Sequence, residues 1–274
     1  MIHEIYPFKL RNEYVHKKVT GNSVIFSFKD DDVLCRNREE ADFPLYKNIS
    51  GRNHEFIYLF EIDGTDYFFA RQGFIKSLPD FSYESIEIFR TMKPKHLAFA
   101  GLTAYHLYRW YRDNNVCGRC ASPFILHNTD GRELVCEKCD NHIFPKIAPV
   151  VIVGVTDGDK LLMTKLAHSK YKNYALIAGY IEIGESAEEA VKREVMEEVG
   201  IAVKDIKYYK SQPWGYSGSL LLGYYANLDD KNELNIASDE LAKAEWIARA
   251  DITNEYEDFS LTNEMICNFK NGKT

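Results

Sequence analysis

Apolar and polar positions along the chain follow two periods, and these divide it into extended and helical stretches. SVIFSF (residues 23–28) and HEFIYLFEIDGTDYFFAR (54–71) are rich in β-branched and aromatic residues and predict strands. The longer run predicts a hairpin turning at Asp63-Gly64, because Asp-Gly tolerates the positive φ of a tight turn. From Lys95 to Asn114 the pattern turns helical. Leu97, Leu102, Tyr105, Leu107 and Trp110 punctuate a proline-free segment, with Pro94 as its start. Further on, VVIVGV (150–155) and KLLMTKL (160–166) flank TDGD and predict a hairpin. YYKSQPW (208–214) and SLLLGYYANL (219–228) predict another strand pair, and a last helix is expected near Ser260 to Phe269.

One helix stands apart in its charge. Ser186 followed by Glu189 is a capping box that starts a helix at Ala187, and Gly200 is placed to end it. Ala187, Val191, Val195 and Val199 repeat every four residues and predict a core-facing stripe. At about 100° per residue, Glu194, Glu197 and Glu198 occupy one sector bordering that stripe. Glu194 and Glu198 form an i, i+4 like-charge pair that costs about 0.2–0.5 kcal/mol. A divalent cation reverses the sign of that interaction, and oxygen-only ligands suit Mg²⁺ or Mn²⁺. A solvated outer face is the plainer reading of such glutamates taken alone.

Composition narrows the class. The chain has 274 residues, 45% hydrophobic and 14% aromatic, enough for one or two domains. It contains no run of about 18 apolar residues, so no membrane span is expected. The start, MIHEIYPFKL, lacks the features of a secretory signal, and a cytoplasmic protein is expected. A net charge of −7 argues against broad electrostatic binding to a nucleic-acid backbone. Four of the six cysteines, Cys117, Cys120, Cys136 and Cys139, have the spacing C-x2-C-x15-C-x2-C. Two such turns can face each other and complete a tetrahedron around zinc, with no open position, so the site is structural. An iron site with the same ligands, or a quartet that has lost its metal, is the alternative. Cys35 and Cys267 read as ordinary thiols, and residues 1 to 93 as a small α/β or β-rich domain that packs or dimerises.

Gly179, Glu185, Arg193, Glu194, Glu197, Glu198 and Gly200 fit G-x5-E-x7-R-E-U-x-E-E-x-G-U, with Val195 and Ile201 as U. Seven fixed positions at roughly 7% background each give on the order of 10⁻⁸ per starting position. The pattern resembles the Nudix box. The resemblance implies a Nudix α/β/α sandwich, and with the cysteine quartet as a zinc ribbon and the small amino-terminal α/β domain before it an α+β fold is expected. It also implies hydrolysis of a nucleoside diphosphate linked to another group, with Mg²⁺ or Mn²⁺. Glu194 and Glu198 would be the principal metal ligands, Glu197 a further ligand or base, and Arg193 the residue that orients glutamates, with Glu185 beside it in the catalytic set.

SQPWGYSGS (211–219) follows the box, and the zinc quartet precedes it. This arrangement is similar to the NADH pyrophosphatase family, whose members cleave NAD(H) to nicotinamide mononucleotide and AMP. Some of them remove NAD caps from RNA, and they are typically homodimers. By that resemblance, substrate contacts fall on Phe144, Ala178 and Tyr180. They continue over Gln212, Pro213, Trp214, Gly215, Tyr216, Ser217, Gly218 and Ser219. Glu240 matches a further metal-binding glutamate. The implied domains are 1–93, 94–144 with the ribbon, and 145–274. The family motif commonly continues SQPWPFP, whereas this chain has Gly215-Tyr216-Ser217, so a less rigid loop is expected. ADP-ribose or a dinucleoside polyphosphate is the alternative substrate, and a nucleotide-sensing nucleic-acid-binding protein the alternative class.

Overall fold

A computed structural model describes residues 1–36, 41–49, 55–71, 75–76, 78–123, 126–127, 131–167, 174–229, 233–236 and 241–274. They form two compact units. One comprises Ile2–Lys146 with Gly215–Ser217, the other Ile147–Trp214 with Gly218–Thr274 and Met1. No helix among the described residues is long and apolar enough to cross a membrane.

The amino-terminal unit begins with β1 (Leu10–Arg11), β2 (Val24–Phe26), β3 (Phe28–Lys29) and β4 (Asp32–Cys35), then β5 (Phe56–Ile62), β6 (Thr65–Ala70) and β7 (Ser82–Ser85). The order β1-β5-β6-β2 makes one sheet, and β3-β4-β7 a second. The hairpin of β5 and β6 turns at Asp63 and Gly64, whose φ values of 45° and 78° are those the Asp-Gly pair was expected to adopt. Ile25, Leu34, Tyr58 and Phe68 share a core. Helix α1 (Lys95–Asp113) has Pro94 as its N-cap, one residue outside the helix. Leu102, Tyr105, Leu107 and Trp110 are buried and Leu97 is half-buried, so four of the five positions read from the sequence mark the packed face. Three two-residue strands follow, β8 (Leu126–His127), β9 (Leu134–Val135) and β10 (His142–Ile143), in one antiparallel sheet.

The carboxy-terminal unit contains β11 (Ala148–Asp157), β12 (Lys160–Leu166), β13 (Ile177–Tyr180), α2 (Ala187–Val199), β14 (Val203–Trp214), β15 (Ser219–Leu228), β16 (Leu241–Ala248) and α3 (Leu261–Lys270). The strands pair in the order β14-β15-β11-β12-β16, and β13 adds to β11. The β11 to β15 pairing is parallel and the rest antiparallel. Strand alternation sends Val151, Val153, Val155 and Leu162 to one face, against Val191, Val195 and Val199 of α2. Val150, Ile152, Leu161 and Met163 go to the other, against Leu261, Met265 and Phe269 of α3. An α/β/α sandwich results because the central strands are apolar on both faces. Each fully buried valine of α2 stabilises the packing by about 1.5–3 kcal/mol.

Candidate active site

Helix α2 is framed as its sequence dictates. Ser186 accepts from the Glu189 N–H and the Glu189 carboxylate accepts from the Ser186 N–H, a complete capping box. Gly200 closes the helix in the left-handed conformation at φ 71°. Ala187 packs at the edge of the core beside the three buried valines. The glutamates then sort by depth. Glu198 is 7% exposed and Glu194 lies against the core edge, while Glu197 points outward.

Arg193 gathers the cluster. Its Nε and Nη2 donate to the two oxygens of Glu185 at 2.8 and 2.9 Å. Nη1 donates to Glu194 at 2.7 Å and to Glu197 at 3.1 Å, and Nη2 also to the Tyr180 carbonyl at 2.9 Å. These use every N–H of the guanidinium. Arg193, and then the Glu182 N–H at 3.0 Å, hold the Glu185 carboxyl below the usual carboxylate range. The bidentate pair fixes direction as well as charge. The loop before α2 is thereby tied to the helix that carries the remaining carboxylates.

Gly179 explains itself by distance. A Cβ at this position of β13 would stand 1.9 Å from the Glu194 carboxyl carbon and 2.0 Å from its nearer oxygen. Only a residue without a side chain lets that carboxylate lie over the strand. Gly179→Ala is therefore expected to displace Glu194 and lower turnover by about tenfold or more, while the fold persists. A kcat comparison with the circular dichroism spectrum as control checks it.

The SQPW segment divides by burial. Gln212 is wholly buried, donating from its amide to the Phe259 carbonyl at 2.8 Å and accepting from the Leu261 N–H at 2.7 Å. Leu261 opens α3, so the side chain satisfies an amide that the helix itself leaves without a partner. Gln212→Leu removes both bonds and is expected to cost about 2–4 kcal/mol, read as a shift of the urea midpoint. Pro213 is exposed, and Trp214 meets Phe259 edge-on at 5.4 Å. Ser219 is buried, Gly218 half-buried, and Ala178 exposed on β13. Tyr180 presents 54% of its surface to solvent.

Gly215, Tyr216 and Ser217 belong to the amino-terminal unit. There Arg109 donates to the Tyr216 carbonyl at 2.7 Å, the Tyr216 hydroxyl donates to the Ile86 carbonyl, and Arg90 lies over the Tyr216 ring. A Cβ on Gly215 would stand 2.3 Å from the Leu102 carbonyl oxygen. The Gly215-Tyr216-Ser217 turn is thus held by a hydroxyl and a close backbone approach. Phe144 is exposed in the same unit. Glu240 lies outside the described residues.

The cysteine quartet is built from two matching turns. The Ala121 N–H donates to the Cys117 carbonyl and the Asp140 N–H to the Cys136 carbonyl, each at 2.9 Å. Ala121 and Asp140 both take positive φ, 55° and 53°. The four sulfurs lie within 4.8 Å of one another, close enough to hold one metal ion. Backbone N–H groups of Cys120 and Arg119 hold the Cys117 thiol down, whereas burial pushes the Cys139 thiol up, so the four sulfurs share their protons unequally. Cys35 and Cys267 are buried elsewhere, and burial pushes the Cys35 thiol up to about 12.

Residues 145–269 match the NUDIX domain. The chain carries a NUDIX domain. A NUDIX hydrolase structure from Nitrosomonas europaea shares its fold at TM-score 0.50, with 17% identity over 57% of this chain and 90% of that one. The NAD-capped RNA hydrolase NudC of Citrobacter koseri is 36% identical over 148 residues, 53% of this chain and 56% of the relative. Its counterpart in Photorhabdus laumondii is 36% identical over 140 residues, 51% and 54% of the two chains. The chain spans about half the length of these curated relatives. The NUDIX domain includes Arg193 and its carboxylates, whereas the cysteine quartet precedes it.

Proposed function

We propose that this protein hydrolyses the diphosphate of NAD(H) to nicotinamide mononucleotide and AMP, with the NAD cap of RNA as a further substrate. The observation that carries the reading is the carboxylate cluster around Arg193, opened toward β13 by Gly179. The relatives named as NAD-capped RNA hydrolases support the choice of dinucleotide. Glu194, Glu197 and Glu198 would hold Mg²⁺ or Mn²⁺, with Glu240 as a further ligand. Such ions neutralise diphosphate charge and acidify a bound water. Arg193 and Glu185 keep the carboxylates aimed, and the half-exposed Tyr180 ring offers a stacking face. The cysteine quartet would hold structural zinc. The division into 1–93, 94–144 and 145–274, a homodimeric state and a cytoplasmic location belong to the same proposal.

The test is kcat/KM for NAD⁺, NADH, ADP-ribose and a dinucleoside polyphosphate at equal Mn²⁺, with products resolved by chromatography. NAD(H) is expected to lead and ADP-ribose to follow, since it lacks the second ring. Tyr180→Ala should narrow that gap by about 2- to 12-fold, the worth of one stacking contact. A clear lead for ADP-ribose or the polyphosphate would reassign the substrate.

A further inference from the structure

The amino-terminal unit contains a cavity of about 310 Å³ between residues 28–30, the end of β6 and the last turns of α1. Its floor is aromatic. Phe28 and Phe69 are buried, Phe28 stacks on Tyr108 at 4.8 Å, and Phe69 meets Tyr111 at 5.1 Å. Its rim is cationic, with Lys29, Arg71 and Arg112 against one carboxylate, Asp30, among the described residues. That balance is opposite in sign to the chain's net charge of −7.

The cations have neighbours of their own. Arg71 lies 3.4 Å from Glu55, and Arg112 lies 2.8 Å from Asp113 with its guanidinium over the Tyr108 ring at 5.6 Å. Both carboxylates are exposed, and surface pairs of this kind stabilise by little, so an anion competes with them at small cost. Guanidinium groups are suited to phosphate, and aromatic faces to any nucleobase. The volume lies at the lower end of ligand pockets, which start near 300 Å³, and so suits one nucleotide rather than a dinucleotide. The adjoining cavity shares Asp30 and Arg112 and adds Asp31, Glu87 and Arg109, so three carboxylates face two guanidinium groups there and an anion favours the first.

We propose that this cavity binds a nucleoside monophosphate unit. The base stacks within the aromatic floor at Tyr108, and the phosphate meets Arg112, Arg71 and Lys29. The inference stands on this cavity alone and not on the hydrolase reading.

The test uses the full chain carrying Glu198→Gln, photolabelled with 8-azido-AMP and mapped by peptide mass spectrometry. Label is expected on peptides spanning Phe28–Lys29 or Tyr108–Arg112. Arg112→Glu should cut it about tenfold or more, the loss for a charge-assisted contact turned repulsive. Adenosine should compete about tenfold less well than AMP. If Arg112→Glu does not fold, Arg71→Gln takes its place. An oligoadenylate that outcompetes AMP assigns the unit to a nucleic-acid strand, and the reverse assigns a free nucleotide. Label confined to residues 145–269, or undiminished by the substitution, overturns the proposal. So does an absence of label at these peptides before Arg112 is changed, together with a sedimentation shift from dimer to monomer in Arg112→Glu, which would make the cavity a contact between two copies. Loss of hydrolysis alone would leave the label map unchanged, so the two readings fail separately.

Discussion

Glu198→Gln is expected to lower metal-dependent turnover by about 10²–10³-fold, the scale set by loss of a strong electrostatic contact to the transition state. Glutamine keeps the length and helix propensity of glutamate, so α2 should stay folded. What disappears is one negative charge from a side chain that is 7% exposed, on the helix that carries Glu194 and Glu197. A cation held by fewer charged oxygens is held less tightly, and the diphosphate then repels an attacking water. Steady-state rates over a range of Mg²⁺ and Mn²⁺, beside the far-ultraviolet spectrum, decide it. Near-normal rates at ordinary metal concentration would remove this glutamate from the mechanism.

The second large effect concerns the cysteine quartet. Cys136→Ser replaces a sulfur of the four-thiol cluster by a hydroxyl that stays protonated and is a poor zinc ligand. Structural zinc contributes about 10–16 kcal/mol to folding in small zinc-finger peptides, so loss of one ligand should be felt well beyond the site. Metal content by mass spectrometry is expected to fall from about one zinc per chain to a small fraction. Thermal unfolding should move to a lower temperature. Wild-type protein that carries no tightly bound metal, and is equally stable in a strong chelator, would refute the structural role.

Helix α2 was legible before any coordinates, because its start, stop and stripe are local. Ser186, Glu189 and Gly200 act within one turn of the helix ends, and the valines repeat at its own period. The strand pairs of the NUDIX domain were legible for the same reason, since alternation and turn residues are near in sequence. Gly179 was visible as a fixed letter, but its reason is the Glu194 carboxylate, which only the packing of α2 on β13 brings there. Gln212 was harder still. Its two partners stand 47 and 49 residues further along, and nothing local marks the amide as buried. The hydroxyl of Tyr216 finds the Ile86 carbonyl 130 residues away in sequence. The aromatic cavity was hidden because Phe28 and Phe69 lie in strand-like runs and Tyr108 and Tyr111 in a helical one, and nothing local showed which rings would meet.

Arg193 makes the protein its own counter-ion. Its five donors gather Glu185, Glu194 and Glu197, together with the Tyr180 carbonyl. Mutual repulsion among the carboxylates is therefore answered from within the fold, and their grouping does not wait on an external ion. Under the proposed function, recruiting a divalent cation would be an exchange of partners on a finished scaffold rather than a folding event. On that reading the availability of divalent ions would govern how fast the site works without governing whether the domain stands.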